Sequence, residues 1–385
     1  MKKESMVPPL RFPEFREDWE QRRLGEITAT FRSGKGITAK DISMDGQYPV
    51  YGGNGLRGFA NTFTHSGTYI LIGRQGALCG NITIVEGNTF ISEHAIAVQT
   101  DAFSDDHWLA HKLTFMNLNQ YSESSAQPGL AVNKLIRHQV LVPTLAEQQK
   151  IAAFLNAVDD KIEQLTKKKA LLEQYKKGVM QQIFNREIRF KDENGDDYPE
   201  WKEIQLGNVG ENIIGLTYSP KDVSSEGVIV LRSSNIKDNR LDLKDLVKVN
   251  TPIKNKLRIR TGDILICTRN GSQRLIGKNI LIREAGEFTF GAFMSVFRST
   301  LNTFIYHLMQ TSYYYEQVQV NLGARINQIT TGHLNRFKFN IPTDERERTK
   351  IANFLSALDD KIGHVDQQIE LTKQYKKGLL QQMFV

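Results

Sequence analysis

Residues 151–184 read IAAFLNAVDDKIEQLTKKKALLEQYKKGVMQQIF, and residues 351–384 read IANFLSALDDKIGHVDQQIELTKQYKKGLLQQMF. The two segments align without a gap at an offset of 200 residues and are identical at 18 of 34 positions. A duplication of this length and similarity indicates that the chain is built from two related units.

Apolar residues recur in both segments at alternating spacings of four and three, which is the pattern of a coiled-coil seam. Polar residues interrupt the seam at Lys169 and Lys176 in the first segment and at Thr372 and Lys376 in the second. Each segment predicts a helix of about 38 residues, roughly 57 Å long. The predicted seam residues are Ile151, Leu155, Val158, Ile162, Leu165, Leu172, Val179, Ile183, Ile351, Leu355, Leu358, Ile362, Val365, Ile369, Leu379 and Met383.

Charges near the two ends of each helix predict how the helices pair. An Asp-Asp dipeptide lies near the start of each helix, at 159–160 and 359–360, and a Lys-Lys dipeptide near each end, at 176–177 and 376–377. Antiparallel pairing places Lys176 near Asp359 and Lys376 near Asp159, in exposed pairs worth about 0–1 kcal/mol each. Parallel pairing would bring like charges together. We therefore expect an antiparallel coiled coil that separates two heads and gives the chain a pseudo-twofold repeat.

The repeat extends beyond the helices to the residues on both sides of a central stretch in each unit. We call this stretch the variable middle, because its sequence differs between the two units. The offset is 182 residues at the start of the unit and 200 at the helices, so the second middle is 18 residues longer. These junctions predict a variable domain over 1–143, a helix over 144–186, a second variable domain over 187–342 and a helix over 343–385. The flanking matches are Arg11-Phe12 with Arg189-Phe190, Trp19 with Trp201, Leu24-Gly25 with Leu206-Gly207, and Val142-Pro143-Thr144 with Ile341-Pro342-Thr343.

The variable middles have the pattern of mixed α+β domains. Short apolar runs at 69–72, 82–85 and 264–267 predict strands, and residues 109–118 and 304–320 predict helices. Thr144 and Glu147 form the sequence pattern of a capping box, in which the glutamate bonds back to the N–H of the cap. The predicted fold class is therefore two mixed α/β domains and two long helices.

Charge and cysteine content narrow the class of protein. The net charge of +7 suits a polyanionic partner. Cys79 and Cys267 are the only cysteines, which excludes a disulfide framework and a cysteine-based zinc site. The first ten residues, MKKESMVPPL, lack the apolar stretch of a signal peptide, and the apolar runs are too short to span a bilayer. We expect a cytosolic protein with no membrane partner.

Three motifs match catalytic, cofactor-binding or metal-binding patterns only in part. Gly53-Asn-Gly55-Leu-Arg-Gly58 fits a dinucleotide-binding pattern, but no helical periodicity follows it, which favours a glycine-rich surface loop. Glu200-Trp-Lys202 could be half of a nuclease signature, but its counterpart Asp18-Trp-Glu20 lacks the lysine, which favours packing of the tryptophan. His107 and His111 have helical spacing without a third metal ligand. We expect no catalytic site and no metal site.

Side chains suited to DNA contact cluster in turn-rich stretches of both middles. Arginine and lysine can bond guanine or phosphate, and asparagine and glutamine can pair with adenine. An arginine follows an apolar strand in both units, at Arg74 and Arg269. We predict DNA contacts from Arg32, Lys35, Tyr51, Asn54, Arg57, Arg74 and Gln75 in the first unit, and from Tyr218, Arg232, Ser234, Asn235, Arg269, Asn270, Gln273, Arg274 and Arg325 in the second.

Two variable domains, each followed by a long helix ending Tyr-Lys-Lys-Gly-x-x-Gln-Gln-x-Phe, resemble the specificity subunits of type I restriction–modification enzymes. Residues 10–15 (LRFPEF), 48–55 (YPVYGGNG) and 72–76 (IGRQG) are also similar to that family. The resemblance covers nearly the whole chain, and the helical repeat is its most specific part.

The resemblance implies two target recognition domains, each reading half of a split, asymmetric sequence in double-stranded DNA. It also implies two methyltransferase subunits that methylate adenine N6 with S-adenosylmethionine, and two restriction subunits that use ATP and Mg²⁺. This chain would carry no cofactor itself. Two alternatives are a complete DNA-modifying enzyme and a coiled-coil scaffold that binds only proteins. Reading one face of the duplex from both heads favours half-site centres about 10 bp apart.

Overall fold

The computed structural model describes residues 7–76, 78–122, 129–237, 240–323 and 327–385. The chain forms two compact units, unit 1 with residues 1–168 and 365–385 and unit 2 with residues 169–364. Each unit therefore combines one variable middle with a part of both long helices.

Unit 1 places two four-stranded sheets and a two-stranded sheet around one variable middle. The sheets have the strand orders β2-β9-β6-β7, β4-β3-β8-β5 and β1-β10. The strands are β1 (Glu20–Arg23), β2 (Thr28–Ser33), β3 (Tyr48–Gly52), β4 (Gly55–Ala60), β5 (His65–Ser66), β6 (Tyr69–Gly73), β7 (Ile82–Val85), β8 (Asn88–Ile91), β9 (Ala95–Thr100) and β10 (Gln139–Val142). The helices are α1 (Asp106–Phe115), α2 (Val132–Leu135) and the first part of α3 (Leu145–Phe184).

Unit 2 repeats this arrangement. Its sheets have the orders β12-β21-β18-β19, β13-β17-β14-β20, β11-β22 and β15-β16. The strands are β11 (Lys202–Gln205), β12 (Glu211–Ile214), β13 (Val223–Ser224), β14 (Val228–Leu231), β15 (Ile236–Lys237), β16 (Arg240–Leu241), β17 (Val247–Val249), β18 (Ile264–Cys267), β19 (Asn279–Leu281), β20 (Phe288–Phe290), β21 (Met294–Arg298) and β22 (Lys338–Ile341). The helices are α4 (Asn302–Leu308), α5 (Ser312–Val320), α6 (Thr331–Arg336) and the first part of α7 (Glu345–Met383).

The ends of each variable middle are joined by a strand pair. In unit 1, β1 pairs antiparallel with β10, so that Glu20 lies opposite Val142. In unit 2, β11 pairs with β22, and Lys202 lies opposite Ile341. The chain therefore enters and leaves each middle side by side, immediately before the long helix begins. The additional residues of unit 2 lie mostly between β14 and β18, where β15 pairs antiparallel with β16.

The long helices pair antiparallel within each unit, as the charge pattern predicts. In unit 2, the Nζ of Lys176 lies 2.5 Å from an Asp359 carboxylate oxygen, and in unit 1 Lys376 lies 2.6 Å from Asp159. The Lys176 side chain is only 10% exposed, so this pair is more buried than predicted. None of the sixteen predicted seam residues is fully exposed, and eleven of them are buried, because the sheet-bearing middles also pack against the helices.

Two predicted local structures are wrong. The helix predicted over 304–320 is divided into α4 and α5, because Thr311 caps a new helix by accepting a hydrogen bond from the N–H of Tyr314. The helix predicted over 109–118 ends at Phe115, where Asn117 takes a left-handed backbone conformation with φ of 48°.

The predicted capping box is only half formed. The Thr144 hydroxyl lies 3.4 Å from the N–H of Glu147, but the Glu147 carboxylate accepts two hydrogen bonds from Arg11, at 2.7 and 2.8 Å. Unit 2 has the same ion pair, in which Arg189 donates to Glu347 at 3.1 and 2.9 Å. Both glutamates are fully buried, so this pair anchors the segment before each middle to the first turn of the long helix.

Candidate nucleic-acid interface

A loop between β8 and β9 brings the predicted contacts of unit 1 together. The N–H of Lys35 donates to the carbonyl of Ile91, the N–H of Ser92 donates to the carbonyl of Tyr51, and the N–H of Arg74 donates to the carbonyl of His94. These distances are 2.9, 2.8 and 3.0 Å. Three chain segments that are remote in sequence therefore meet at one loop.

The glycine-rich turn between β3 and β4 lies against the same loop. A Cβ placed on Gly53 would approach the carbonyl oxygen of His94 to 2.6 Å and the backbone nitrogen of Arg74 to 3.3 Å. Gly55 has a φ of 97°, a conformation that favours glycine. The close approach leaves Asn54 exposed at the turn, near Arg74. Gly53 and Asn54 thus form the turn of a hairpin and residues 55–58 belong to β4, so the stretch that the sequence favoured as a glycine-rich surface loop is a β-hairpin.

Basic side chains surround this loop. Arg32, Lys35 and Arg57 are exposed, whereas Tyr51 and Arg74 are partly exposed. Burial lowers the pKa of His65, and the nearby positive charges of Arg32 and Lys35 lower it further. Gln75 is exposed and forms an isolated bridge with Gly129. Such a surface can hold phosphates through its cations and bond base edges through Asn54 and Gln75.

Unit 2 builds the same backbone frame from different residues. The N–H of Leu216 donates to the carbonyl of Phe290, and the N–H of Arg269 donates to the carbonyl of Phe293, at 2.7 and 3.0 Å. The N–H of Gly291 donates to the carbonyl of Leu231 at 3.1 Å. These bonds correspond to those of Lys35, Arg74 and Ser92 in unit 1. The frame therefore recurs while its exposed side chains change.

Three predicted contacts of unit 2 have partners inside the protein. Asn235 is buried, and its amide donates to the carbonyls of Asp242 and Asp245 at 2.9 Å, so it is a structural residue of its loop. The amide of Asn270 donates to the hydroxyl of Ser233 at 2.9 Å. Arg232 lies 2.8 Å from the carboxylate of Asp245, and that carboxylate is exposed. A phosphate could therefore replace Asp245 as the partner of Arg232, whereas Asn235 offers no free group.

The other predicted contacts of unit 2 are more accessible. Ser234, Arg269 and Arg274 are exposed, and Tyr218 is partly exposed. Gln273 is exposed and bonds Gln319 at 3.2 Å. Arg325 lies outside the described residues. The exposed set is thus centred on the turn after β18, which corresponds to the turn after β6 in unit 1.

The sequence prediction missed one feature of these surfaces and one pair of buried histidines. His94 and Phe293 hold the same backbone position and have exposed side chains. The dipeptide Thr89-Phe90, which recurs as Thr289-Phe290, would have brought the two loops together, one residue out of the register that the hydrogen bonds show. The buried histidines of the two units were also missed as a pair. His111 bonds Asn156 of α3, and His307 bonds Ser356 of α7. The offsets of 196 between the histidines and 200 between their partners would have revealed this pair.

Each unit also exposes a polar and apolar stripe near the end of one long helix. We call it the Leu-Tyr-Gly stripe, and its two copies have identical residues. Of the seven positions in 171–182 that are exposed in both helices, six are identical, whereas none of the four such positions in 163–170 is identical. The stripe consists of Leu171, Gln174, Tyr175, Gly178 and Gln182 in α3, and of Leu371, Gln374, Tyr375, Gly378 and Gln382 in α7. All of these residues are exposed except Gly378, which is partly exposed.

Glycine within the stripe has no explanation in the packing of the chain. A Cβ at Gly178 or at Gly378 would meet no atom within 4 Å. Glycine inside a helix costs about 1 kcal/mol relative to alanine. Its presence in both copies is therefore consistent with close approach of another molecule.

Neither a metal-binding cluster nor a membrane-spanning helix occurs in the described residues. No group of three or more His, Cys, Asp or Glu side chains there could hold a metal ion. Within the same ranges, no helix combines the length and apolarity needed to cross a bilayer. Trp19 and Trp201 are buried, in agreement with a packing role for the recurring tryptophan.

Comparison with known proteins gives a family match in both halves. The model of the type I restriction modification DNA specificity domain matches residues 16–174 and 198–373. The type I restriction enzyme EcoprrI specificity subunit of Escherichia coli is 43% identical over 154 residues, which cover 39% of this chain and 38% of that protein. The MjaVIII specificity subunit of Methanocaldococcus jannaschii is 23% identical over 96% of this chain and 90% of its own length.

Solved structures have the same fold. The type I restriction-modification S subunit of M. genitalium superposes with a TM-score of 0.70 and 15% identity, over 99% of each chain. A chain from a structural study of complex assembly and conformational transition of the type I R-M system has a TM-score of 0.54 and 16% identity. That match covers 97% of this chain and 98% of the other.

Proposed function

This chain belongs to the type I restriction–modification DNA specificity family, and from that membership we propose that its two units read the two halves of a split, asymmetric DNA target. The observation that carries the proposal is one backbone frame with two different sets of exposed side chains. A shared frame supports one mode of docking on the duplex, and different side chains support different base contacts.

The proposed reading surface of unit 1 is the loop before β9 together with Lys35, Asn54, Arg74 and Gln75. In unit 2 it is the loop before β21 together with Arg269 and the turn that follows it. Arginines at these positions can bond guanine O6 and N7 in the major groove. The remaining exposed cations would bind phosphates and set the register.

A domain exchange tests this proposal. Residues 210–335 are replaced by the corresponding segment of a relative, and the methylated sequence is determined by methylome sequencing of a host with the complex. We expect one half-site to change and the other to remain. Replacement of residues 28–135 is the matched exchange and should change the opposite half. A change in both halves after either exchange would contradict two independent reading units.

We further propose that two methyltransferase subunits dock on the two copies of the Leu-Tyr-Gly stripe. Identical exposed residues in two places suit two copies of one partner. Leu171 and Tyr175 of the α3 copy are 65% and 53% exposed, and an unobstructed glycine lies one turn further on. A partner helix can approach closely where glycine has no side chain. Restriction subunits would join this assembly.

Single substitutions in each stripe test the docking proposal. Tyr175→Ala or Tyr375→Ala should leave one methyltransferase subunit bound, and the double variant should bind none, as measured by native mass spectrometry. Lys167→Ala, at an exposed helix position that differs between the copies, is the control and should retain two. Full binding by the double variant would place the docking surface elsewhere.

We propose that the chain acts in the cytosol and neither transfers methyl groups nor cuts DNA by itself. S-adenosylmethionine, ATP and Mg²⁺ would bind to the partner subunits. Incubation of the purified chain with DNA and labelled S-adenosylmethionine should give no labelled DNA. Addition of the methyltransferase subunit should restore labelling, whereas labelling by the chain alone would favour a complete modifying enzyme.

A further inference from the structure

In the loop before β21, the aromatic ring of Phe293 lies against the guanidinium of Arg269. The Phe293 ring centre lies 4.8 Å from the guanidinium carbon of Arg269. Phe293 is 55% exposed, so the ring and the cation form their contact at the surface. A guanidinium over an aromatic face is attracted by the ring quadrupole, and the stack also fixes the plane of the cation.

The backbone of Phe293 is fixed by hydrogen bonds from the two residues that follow β18. Its carbonyl oxygen accepts hydrogen bonds from the N–H of Thr268, the hydroxyl of Thr268 and the N–H of Arg269, each at 3.0 Å. The following turn is tied down as well, because Asn270 bonds Ser233 and the N–H of Ser272. The ring and the arginine therefore belong to one rigid corner of the fold.

Unit 1 has a different pair at the same corner. The carbonyl of His94 accepts the N–H of Arg74, but glycine replaces Thr268 at position 73. The His94 ring lies 3.4 Å from the carboxylate of Glu93. Among the described residues, no hydrogen bond, ion pair or ring contact of the Arg74 side chain is present. Arg74 is therefore less constrained than Arg269.

We infer that Phe293 is a positioning residue for DNA reading, which holds the guanidinium of Arg269 in one plane so that its N–H edge faces a base. The inference rests on the proposed role of unit 2 in reading a half-site. A guanidinium fixed by its face keeps its donors free, and two parallel donors match O6 and N7 of guanine. Unit 2 should consequently require guanine at one position more strictly than unit 1 does.

A double-mutant cycle in the assembled complex tests this inference. We compare three variants, Phe293→Leu, Arg269→Ala and the double variant. For each, binding is measured to a duplex with the sequence that the complex methylates and to duplexes changed at each base of the unit 2 half-site. Phe293→Leu should weaken cognate binding about two- to fivefold and relax the guanine requirement. Phe293→Trp should restore both. The double variant should bind no more weakly than Arg269→Ala.

The controls separate positioning from folding and from the reading role itself. Phe293→Leu should leave the melting temperature unchanged, and His94→Leu should leave the unit 2 half-site unchanged. If Arg269→Ala weakens binding but Phe293→Leu does not, or if the two losses simply add, the inference is wrong while the reading role stands. If Arg269→Ala itself has no effect, both the inference and the proposed reading surface of unit 2 fail.

Discussion

The two units share nearly all of their backbone frame and differ mainly where side chains face outward. Both contain a buried Arg–Glu pair, a buried histidine against a long helix, and an arginine after the central strand. At the proposed reading corner, however, His94 beside Glu93 is replaced by Phe293 beneath Arg269. Packing constrains the frame, whereas, under the proposed function, the exposed corner is free to vary with the DNA sequence that it would read.

Among the features that the two units share, loss of the buried Arg–Glu ion pairs should have the largest effect on stability. Glu147→Ala should destabilise unit 1 and Glu347→Ala should destabilise unit 2, each by about 3–5 kcal/mol, because each leaves a partly buried arginine without its partner. Hydrogen exchange resolved by unit measures both losses. Glu203→Ala, which removes an exposed pair with Lys338, is the control and should cost less than about 1 kcal/mol. Losses below that value in both units would show that the pair does not anchor the frame.

A pH titration should distinguish the two buried histidines. Burial, followed by the charge of Lys176, lowers the pKa of His307 to about 3. In the unfolded chain, the His307 side chain therefore binds a proton as the pH falls through about 6.5, whereas in folded unit 2 it does so only near pH 3. The stability of unit 2 should fall as the pH falls from about 6.5 toward 3, by up to about 1.4 kcal/mol per pH unit.

His111 provides the matched comparison in unit 1. Burial also lowers its pKa, but the hydrogen bond that the His111 ring donates to the amide oxygen of Asn156 opposes this effect. Unit 1 should therefore lose less stability on acidification than unit 2, in the same exchange experiment corrected for intrinsic rates. His307→Gln should remove the excess acid sensitivity of unit 2. An unchanged pH profile in that variant would assign the effect to other groups.

The third comparison concerns the two arginines. Arg74→Ala and Arg269→Ala should each weaken specific DNA binding by the complex by about 1–3 kcal/mol if they bond guanine. If either arginine binds phosphate, its loss should weaken binding to all DNA sequences. The slope of log affinity against log salt concentration should then become shallower by about one. Titration of duplexes at several salt concentrations measures both quantities. Unchanged affinity and slope in both variants would remove the arginines from the reading surfaces.

The smallest effect is expected at the glycines of the Leu-Tyr-Gly stripe. Gly178→Ala and Gly378→Ala should each stabilise the helix by about 1 kcal/mol or less, since an added Cβ meets no atom within 4 Å. The same substitutions should weaken methyltransferase docking. Thermal unfolding and native mass spectrometry measure the two opposite changes. Stabilisation without any loss of docking would mean that the glycines are not part of the interface.

The long helices, their orientation and the main strands were predictable because they rest on periodicity and on charge repeated at fixed spacing. The pairing of Lys176 with Asp359 followed from the repeat alone. The ten-base-pair separation of half-sites stays a prediction. Features that depend on tertiary contacts were not predictable: Glu147 bonds Arg11, which is remote in sequence, and Asn235 satisfies backbone carbonyls that only the folded loop brings near.

Prediction also failed where the two units share geometry with little shared sequence. His94 and Phe293 occupy one backbone position, but the strands on either side share only the dipeptide Thr89-Phe90 with Thr289-Phe290 and have otherwise diverged within the limits of apolar packing. A buried strand position accepts several apolar residues of suitable volume. The register of these loops, which differs by one residue from the match of that dipeptide, therefore required the hydrogen bonds of the backbone.

The strand pairs β1–β10 and β11–β22 have a consequence for inheritance. Because each brings the two ends of a variable middle together, a gene segment between them can be exchanged or lengthened while both ends still meet in the same register. The 18 additional residues of unit 2 are one such tolerated change in length. Under the proposed function, recombination that joins foreign DNA at these two borders would produce a protein with a new target in one step. Selection could then act on whole reading domains as well as on single bases.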